Sequence, residues 1–285
     1  MSVSDFFRFA NMRERIRIAK ETGVPQSLWT QDPILQKHRF CNVFREDDKT
    51  TRFFRDTVRD PLRDSDSVLL ATIAWRWFNR IETCERVPLE VWRDCDLDAM
   101  EEILRPVQND PRQRLVTGAY MVKTPLKVDK LTGILACLKV AKRLEREILQ
   151  TAKVEGWMEN VHVRLMEIPY LGRFMAYEIV TDLRYTALLD KAGDIMTWAS
   201  AGPGAIRGLE WISPAVKYGS YSSDNAQQLA LRDMDHLLRR SRELWEWPER
   251  PWELREVEHS LCEADKYWRG TVNGERLKRK YSVKD

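Results

Sequence analysis

The sequence contains few of the residue patterns from which metal sites and disulfide frameworks are built. Its five cysteines are widely spaced and form no C-x-x-C pair, and its four histidines show no H-E-x-x-H spacing. These spacings argue against a disulfide framework, a zinc ribbon and a clustered iron–sulfur site. The sequence therefore indicates no metal and no cofactor, although spacing says nothing about a site that distant residues assemble in space.

Long apolar segments and nucleotide-binding loops are also missing. No apolar run approaches the roughly 20 residues that span a membrane, and the N-terminal segment is charged where a signal peptide has its apolar stretch. The Walker A pattern G-x-x-x-x-G-K-[ST] occurs nowhere in the sequence. We therefore expect a cytoplasmic protein that has no membrane partner and does not bind ATP as a P-loop kinase does.

The charge balance is nearly even, because 47 basic and 44 acidic residues give a formal net charge of +3. This is a weak preference for anionic partners, and a protein that coats DNA non-specifically would be more basic. An enzyme with one local basic groove fits this balance. With 285 residues, the chain can bury a large core as one domain or as two lobes.

Alternation of apolar and polar residues, the pattern of half-buried strands, is nearly absent. The segment 64–82 is apolar almost all round and predicts a central buried helix. Three further segments show helical periodicity, namely residues 131–153, 225–245 and 251–268. The sequence therefore predicts an all-α protein.

Residues 164–180, RLMEIPYLGRFMAYEIV, contain a proline and a glycine three residues apart between helix-forming residues. The stretch is either a tight corner between two helices or a hairpin that holds a nucleic-acid backbone, with Ile168 and Leu171 anchoring its turn. In a hairpin, Gly172 lets a phosphate approach, and the N-terminus of the next helix adds a favourable dipole. The DNA-binding residues predicted here are Gly172 and Arg173.

The segment EIPYLGRFMAYEIV resembles the helix-hairpin-helix of base-excision DNA glycosylases. The resemblance implies a two-lobed, glycosylase-like helical fold with a cleft between the lobes and the hairpin on its rim. Those enzymes carry a catalytic aspartate downstream of the hairpin glycine, at an offset close to that of Asp190 and Asp194 in this chain. The lysine of bifunctional glycosylases is missing, since Arg173 and Phe174 follow the glycine. Lyase chemistry through a Schiff base is therefore disfavoured.

The segment SAGPGAIRGLEWI, residues 200–212, places Gly202, Pro203 and Gly204 before a predicted helix, with Arg207 one turn later. Backbone N–H groups at such a turn, together with an arginine, suit a phosphate oxyanion. The alternative is a loop whose glycines are required by packing.

Two further stretches are rich in polar side chains. If residues 38–56 are helical, Arg39, Asn42 and Arg45 share one face of the helix. This face either reads a base edge and holds a phosphate, or it belongs to a surface helix with ion pairs. Residues 256–270 repeat acidic, basic, histidine and tyrosine side chains at helical spacing beside an apolar stripe. A solvated face rarely needs histidine, cysteine and tyrosine together.

Three motifs in order, DPILQKHRFCNVFREDDKTT, GPGAIRGL and VEHSLCEADKYWR, carry a more specific resemblance. They resemble the phage-associated alpha-glutamyl/putrescinyl thymine pyrophosphorylases, also called amino acid:DNA transferases. The helical domain named after the 5-hydroxymethyluracil DNA kinases has closely similar motifs. The resemblance covers the chain from about residue 28 to residue 270.

This resemblance implies an enzyme that acts on a thymine-like base in DNA, already hydroxymethylated and phosphorylated at its methyl carbon. An amine, either an amino acid such as glycine or glutamate or a polyamine such as putrescine, would replace the phosphate or pyrophosphate on a flipped base. A functional link to a base kinase and a location in the host cytoplasm are also implied. The predicted catalytic residues are Asp194, Glu46 and Asp48. The predicted substrate-binding residues are Arg39, Asn42, Arg45, Arg207, Glu258, His259, Glu263 and Lys266, and Gly202 and Gly204 join Gly172 and Arg173 in contacting DNA.

In this chemistry a carboxylate such as Asp194 or Glu46 takes the proton from the incoming ammonium. Arg45, Arg207 and the backbone amides of Gly202 to Gly204 hold the leaving phosphate. The amine attacks directly, or the base first expels its phosphate to form an exocyclic methide; the sequence does not distinguish these routes. Two other functions stay open. One is a monofunctional glycosylase in which Asp194 stabilises cationic character at the sugar, and the other is a non-catalytic DNA-binding module that escorts a base kinase.

The expected organisation is a single two-lobed helical domain over residues 1–285, with the hairpin at about 164–180. A basic tail at about 271–285 is either a solvated end or a further DNA contact.

Overall fold

The computed structural model describes residues 1–281, and this part of the chain consists of helices joined by short turns. The last four residues of the predicted basic tail lie outside the described residues. Thirteen α-helices occur in residues 1–281. They are α1 (Val3–Glu21), α2 (Pro33–Lys37), α3 (Lys49–Phe54), α4 (Val68–Phe78), α5 (Ile81–Cys84), α6 (Leu89–Asp94), α7 (Leu97–Asn109), α8 (Lys130–Gln150), α9 (Met158–Leu165), α10 (Arg173–Leu183), α11 (Pro203–Ile212), α12 (Asp224–Leu244) and α13 (Leu254–Val272).

No strand occurs between residues 1 and 281, where the β-type contact is an isolated bridge between His38 and Lys280. The all-α prediction is therefore confirmed. Among these described helices, none is both long enough and apolar enough to cross a membrane.

The chain forms two compact units. The first unit combines Met1–Asp48 with the chain from Met196 onward, and the second is the continuous segment Lys49–Ile195. The first unit therefore contains α1, α2 and α11 to α13, and the second contains α3 to α10. The glycosylase-like arrangement of lobes stays a prediction.

Helix α4 is the centre of the second unit. All of its residues are buried, as the apolar pattern predicts, and it packs against α8 and α10. Its Arg76 is 1% exposed and forms a two-pronged salt bridge with Asp182 of α10, which is also 1% exposed. A buried guanidinium is tolerated where such a partner replaces its lost hydration, so this pair fixes α10 against α4.

The helices α9 and α10 form the predicted helix–turn–helix around residues 164–180. Ile168 and Leu171 anchor the turn as expected, since each is 1% exposed. Tyr170 has a positive φ of 65° and an exposed side chain. Gly172 precedes α10 with a φ of −80°, and a Cβ added there would meet no atom within 4 Å. The backbone at this turn is therefore open to an outside partner.

Helix α1 contributes a buried face to the first unit. Ser2 and Asp5 form a capping box that satisfies backbone N–H groups at its start. Phe6, Phe9 and Arg13 then follow at helical spacing, and all three are buried. The helix packs against α12 and α13, so Arg13 is carried into the interior on an otherwise apolar face.

Helices α11 and α13 pack closely because α11 has glycines where α13 crosses it. A Cβ added to Gly204 would overlap the Cys262 Sγ, and one added to Gly208 would lie 2.5 Å from the Leu261 carbonyl oxygen. Packing therefore requires glycine at positions 204 and 208. Pro203 occupies the first position of α11, where its missing N–H costs nothing.

We predict that Gly208→Ala destabilises the protein. Helix propensity alone would make this change stabilising by about 1 kcal/mol, but the new Cβ meets backbone atoms of Leu261, which cannot rotate away. Overpacking of this kind costs about 1–3 kcal/mol, measurable as a lower urea midpoint.

Gly172→Ala is the matched control, because the space beside Gly172 is open. Its free energy of unfolding should change by less than about 0.5 kcal/mol. A Gly208→Ala protein as stable as the control would show that α11 and α13 do not meet at this glycine.

Candidate functional site

We call residues 39–48 the 39–48 loop. Residues 39–44 of this loop are not helical. A single 3₁₀ turn spans Arg45–Asp47, and α3 begins after Asp48. The expectation that Arg39, Asn42 and Arg45 share one helix face is therefore wrong. Side-chain and long-range bonds hold the loop instead: Asn42 Nδ2 donates to the Asp47 carbonyl oxygen at 2.9 Å, and Arg39 N donates to the Arg279 carbonyl oxygen at 3.0 Å. Such bonds compete with helix formation.

Arg13 of α1 supports this loop from inside. Its side chain is 4% exposed, and its Nη2 donates to the carbonyl oxygens of Cys41 at 2.5 Å and Asn42 at 2.7 Å. Its Nη1 reaches the Ser260 Oγ of α13 at 3.3 Å. One guanidinium therefore connects α1, the 39–48 loop and α13.

Glu263 and Lys266 of α13 hold the same loop from the other side. Glu263 Oε2 accepts the Cys41 backbone N–H at 2.9 Å and also accepts from Lys266 Nζ at 3.3 Å. Lys266 Nζ donates to the Arg39 carbonyl oxygen at 2.8 Å. Two predicted substrate-binding residues thus have structural bonds to the first motif, and the two motifs meet in space.

Three potential donors converge between the loop and α13. The Cys41 Sγ, a carboxylate oxygen of Asp48 and a ring nitrogen of His259 lie within 4.8 Å of one another. Asp48 Oδ1 accepts the Asn42 backbone N–H at 2.9 Å, which fixes the carboxylate. The Nε2 of His259 is enclosed and has no hydrogen-bond partner in the described part of the chain. We call Cys41, Asp48 and His259 the donor cluster.

Burial sets the protonation states of this region. It raises the pKa of Asp48 to about 6, against the lowering effect of the Asn42 N–H and Arg45. Burial also lowers the pKa of His259 to about 3, an effect that nearby Arg13 and Arg45 reinforce. It raises the pKa of the Cys41 thiol well above its usual range, and the neighbouring carboxylates raise it further. Cys41 and His259 are therefore a neutral thiol and a neutral imidazole, and not a thiolate–imidazolium pair.

The carboxylate of Glu263 stays ionised in the same surroundings. Burial alone would raise its pKa, but the charges of Lys266 and Arg13 and the N–H of Cys41 place it below its ordinary value. Arg13 is affected in the opposite way, since burial lowers its pKa and Glu263 partly restores it. The two groups form an interior charge pair beside the donor cluster.

The glycine-rich segment is attached to the same helix. Gly202 N donates to Glu258 Oε1 at 3.0 Å, so this backbone amide is already bound within the protein. Arg207 Nε donates to Asp265 Oδ2 at 3.0 Å, while the Arg207 side chain remains 49% exposed. Arg207 is thus paired with a carboxylate of the protein, and its predicted binding of a substrate stays a prediction. The geometry gives Gly202 and Gly204 structural roles, and their predicted DNA contact also stays a prediction.

Asp194 belongs to the second unit and is 1% exposed. Its two carboxylate oxygens accept the backbone N–H groups of Met158 at 2.8 Å and Glu159 at 2.9 Å, at the start of α9. A carboxylate in this position caps the helix and interacts favourably with its dipole. The geometry therefore supports a structural role, and the predicted catalytic role of Asp194 stays a prediction without support from these contacts.

The sequence interpretation missed Arg13, Cys41 and Ser260 as site residues. Arg13 had a signal, since it continues the helical spacing of Phe6 and Phe9 and so falls on the buried face of α1. Cys41 lies inside the first quoted motif, but a lone cysteine carries no chemistry until its neighbours are known.

The chain matches the model of a known family. The family model described as the helical domain of 5-hmdU DNA kinase matches residues 1–276. The chain belongs to this family. The 5-hmdU DNA kinase of Bacillus phage SP10 is 27% identical over 205 residues, which cover 65% of this chain and 32% of that protein. The chain thus spans about a third of the length of this curated relative, and no solved structure matches it.

Membership confirms the expected similarity to the helical domain of the 5-hydroxymethyluracil DNA kinases. The transferase family and the glycosylase-like fold stay predictions. Within the matched range, the three motifs that carried the resemblance are the segments that meet on α13 in this member of the kinase helical-domain family.

We predict that Asp194→Ala destabilises this helical-domain protein by about 1–3 kcal/mol, because two buried N–H groups at the start of α9 lose their acceptor. Asp194→Asn keeps one carbonyl oxygen and should cost less. Asp190→Ala is the control, since Asp190 is the other candidate aspartate and is partly exposed. Equal urea midpoints for Asp194→Ala and Asp190→Ala would contradict the capping role.

Proposed function

We propose that this protein modifies a base in DNA by transferring an amine to the methyl carbon of a phosphorylated 5-hydroxymethyluracil. The nitrogen of an amino acid or a polyamine forms a bond to this carbon, the bond from the carbon to the phosphate oxygen breaks, and phosphate or pyrophosphate leaves. The ammonium loses one proton to a carboxylate on the protein. The phosphate is installed beforehand by a kinase, so the transfer itself needs no ATP.

Family membership supports a role in DNA base modification. The curated relative is named for a kinase reaction on 5-hmdU in DNA, and a phosphorylated hydroxymethyl group is a leaving group that an amine can displace. The chain matches a helical domain and spans only part of that relative. The transfer reaction is therefore proposed for this chain and is not carried over from the kinase.

The observation that carries the proposal is the convergence of three separate motifs on α13. The 39–48 loop binds it through Glu263 and Lys266, and the 202–207 segment binds it through Glu258 and Asp265. Cationic and anionic side chains are thereby brought together on one helix. Displacement of a phosphate by an amine needs both, since cations stabilise the leaving group and a carboxylate accepts the proton.

Arg207 and Arg39 are the groups we assign to the phosphate. Both side chains are exposed, and a guanidinium fork matches the geometry of a phosphate oxyanion. Removal of Arg207 leaves the buried Asp265 with Arg269 at 3.2 Å and the Trp211 Nε1 at 3.3 Å. The loss of Arg207 can therefore be tested without leaving that carboxylate unpaired.

Glu46 is the carboxylate that we assign to the proton of the incoming ammonium. A base for an external amine must be reachable, and Glu46 lies on the partly exposed 3₁₀ turn of the 39–48 loop. Asp194 has both oxygens engaged by backbone N–H groups of α9. Burial raises the pKa of Asp48, and its carboxylate fixes the loop through the Asn42 N–H, so we assign it a supporting position beside the reacting groups.

DNA contact is assigned to the helix–turn–helix of the second unit. The backbone at Gly172 is open to approach, and it leads into the N-terminus of α10, where backbone N–H groups favour a phosphate. Arg173 follows directly, and Tyr170 and Phe174 present exposed aromatic rings on either side of the glycine. Aromatic rings beside a phosphate contact suit stacking on an unpaired base.

The glycosylase alternative is less well supported, because it needs Asp194 to face the sugar while its carboxylate caps α9. The non-catalytic module keeps a specific observation in its favour. The family is described as a helical domain of a DNA kinase, and such a domain can bind DNA for a catalytic partner.

We predict amine transfer on DNA that carries phosphorylated 5-hydroxymethyluracil. The protein is incubated with this DNA and with glycine, glutamate or putrescine, and the digested nucleosides are analysed by mass spectrometry. An aminated thymidine and released phosphate should appear in equal amounts. Glu46→Gln should lower turnover by about 10²–10⁴ with unchanged DNA affinity, which is the usual effect of losing an acid–base group. Arg207→Ala should weaken binding of phosphorylated DNA more than binding of thymine DNA.

The matched control for Glu46→Gln is Glu210→Gln, which removes an exposed carboxylate from α11 and should leave turnover unchanged. Abasic sites in place of the new base would favour the glycosylase. If the DNA were unchanged with every amine, the result would favour the non-catalytic DNA-binding module.

We also predict salt-sensitive DNA binding through the hairpin. Gly172→Glu places a negative side chain where the backbone is open, so affinity should fall and the log–log salt slope should lose about 0.9 for each phosphate contact removed. Gly172→Ala is the control and should alter binding less, because it adds no charge. If folded Gly172→Glu binds DNA as tightly as the native protein, residues 164–180 are only a helix corner.

A further inference from the structure

We propose that Cys41, Asp48 and His259 bind a divalent transition-metal ion, with zinc the best match. The donor atoms of these residues lie within 4.8 Å of one another. A zinc ion with bonds of about 2.0–2.3 Å brings tetrahedral donors to about 3.5 Å from each other. Small side-chain rotations would close the donor cluster around such an ion. This inference does not depend on the proposed amine transfer.

The chemistry of the three donors selects the metal. A thiolate, an imidazole nitrogen and a carboxylate oxygen together suit a borderline-soft ion such as zinc, whereas magnesium and calcium prefer oxygen alone. On binding, the Cys41 thiol releases one proton to solvent and the two negative ligands balance the charge of the ion. His259 binds as the neutral imidazole.

His259 supplies the second, independent observation. Its Nε2 is enclosed and finds no hydrogen-bond partner in the described residues. A buried polar atom without a partner is costly in a folded protein, and coordination through this nitrogen would supply the missing interaction. The neighbouring Glu263 does not supply this interaction, because its Oε2 accepts from Cys41 N and Lys266 Nζ.

Hydrogen bonds within the protein hold two of the three donor residues in place. The Cys41 backbone is fixed by Glu263 and Arg13, and the Asp48 carboxylate is oriented by the Asn42 N–H. Such outer contacts orient metal ligands and commonly change affinity by about 10–100-fold. The opposing feature is positive charge, because Arg13, Arg45 and Arg255 act electrostatically on the cluster. The ionised Glu263 offsets part of that charge.

Three protein donors leave one tetrahedral position open. Structural zinc sites close all four positions with protein ligands, whereas catalytic sites keep one for water or substrate. The donor cluster lies beside Glu263 and Lys266 of α13. The open position would accept an oxygen ligand such as water.

The test measures metal binding directly and needs no DNA. Metal-free protein is titrated with Zn²⁺ and with Co²⁺, and the Co²⁺ form is examined for the absorption bands of a tetrahedral thiolate complex. The native protein should bind about one ion, with affinity lowered more than about 100-fold in Cys41→Ser and His259→Gln, since these remove ligands rather than outer contacts. Asp48→Asn should bind more weakly and change the Co²⁺ spectrum.

Matched controls use the same residue types elsewhere in the first unit. Cys262→Ser lies on α13 and His236→Gln on α12, and both native side chains belong to exposed residues. These variants should bind the ion as the native protein does, and circular dichroism should show native helix content in every variant. The proposal would be overturned if the native protein bound no ion. It would also be overturned if Cys41→Ser and His259→Gln bound the ion as tightly as the native protein does. Because no reaction is measured, this result is independent of the outcome for amine transfer.

Discussion

The buried guanidinium of Arg13 is the group on which the first unit depends. A charge removed from water must recover its lost hydration from the protein. Arg13 does so through the carbonyl oxygens of Cys41 and Asn42, and Glu263 supplies the opposite charge. Because residues 41 and 42 are not helical, both carbonyl oxygens are free to accept from Arg13. Burial of one arginine on α1 and the path of the 39–48 loop are therefore linked.

Helix α13 then brings the 39–48 loop and the 202–207 segment together. Its carboxylates bind the backbone N–H of Cys41 and of Gly202, two residues that are far apart in sequence. Each bond occupies a carboxylate oxygen, so Glu263 and Glu258 organise the fold of the first unit. The side chains that remain exposed, above all Arg207, are those with which the site can meet an anion.

The helices were predictable because their periodicity is local. The full burial of α4 and the turn anchored by Ile168 and Leu171 followed from the apolar pattern alone. The 39–48 loop was not predictable, because the partners that hold it, Arg13 and Glu263, lie at distant positions in the chain. The donor cluster was hidden for the same reason.

The glycines show how one sequence pattern supports two physical explanations. A glycine-rich turn before a helix is typical of phosphate sites, but Gly204 and Gly208 face α13, where a Cβ would overlap atoms of Cys262 and Leu261. Gly172, in contrast, has open space beside it and an ordinary φ. Packing therefore explains the glycines at positions 204 and 208. No contact within the described chain explains the glycine at position 172. In the proposed reaction, phosphate recognition near α11 therefore falls to arginine side chains, whose charge can follow a leaving group as its bond lengthens.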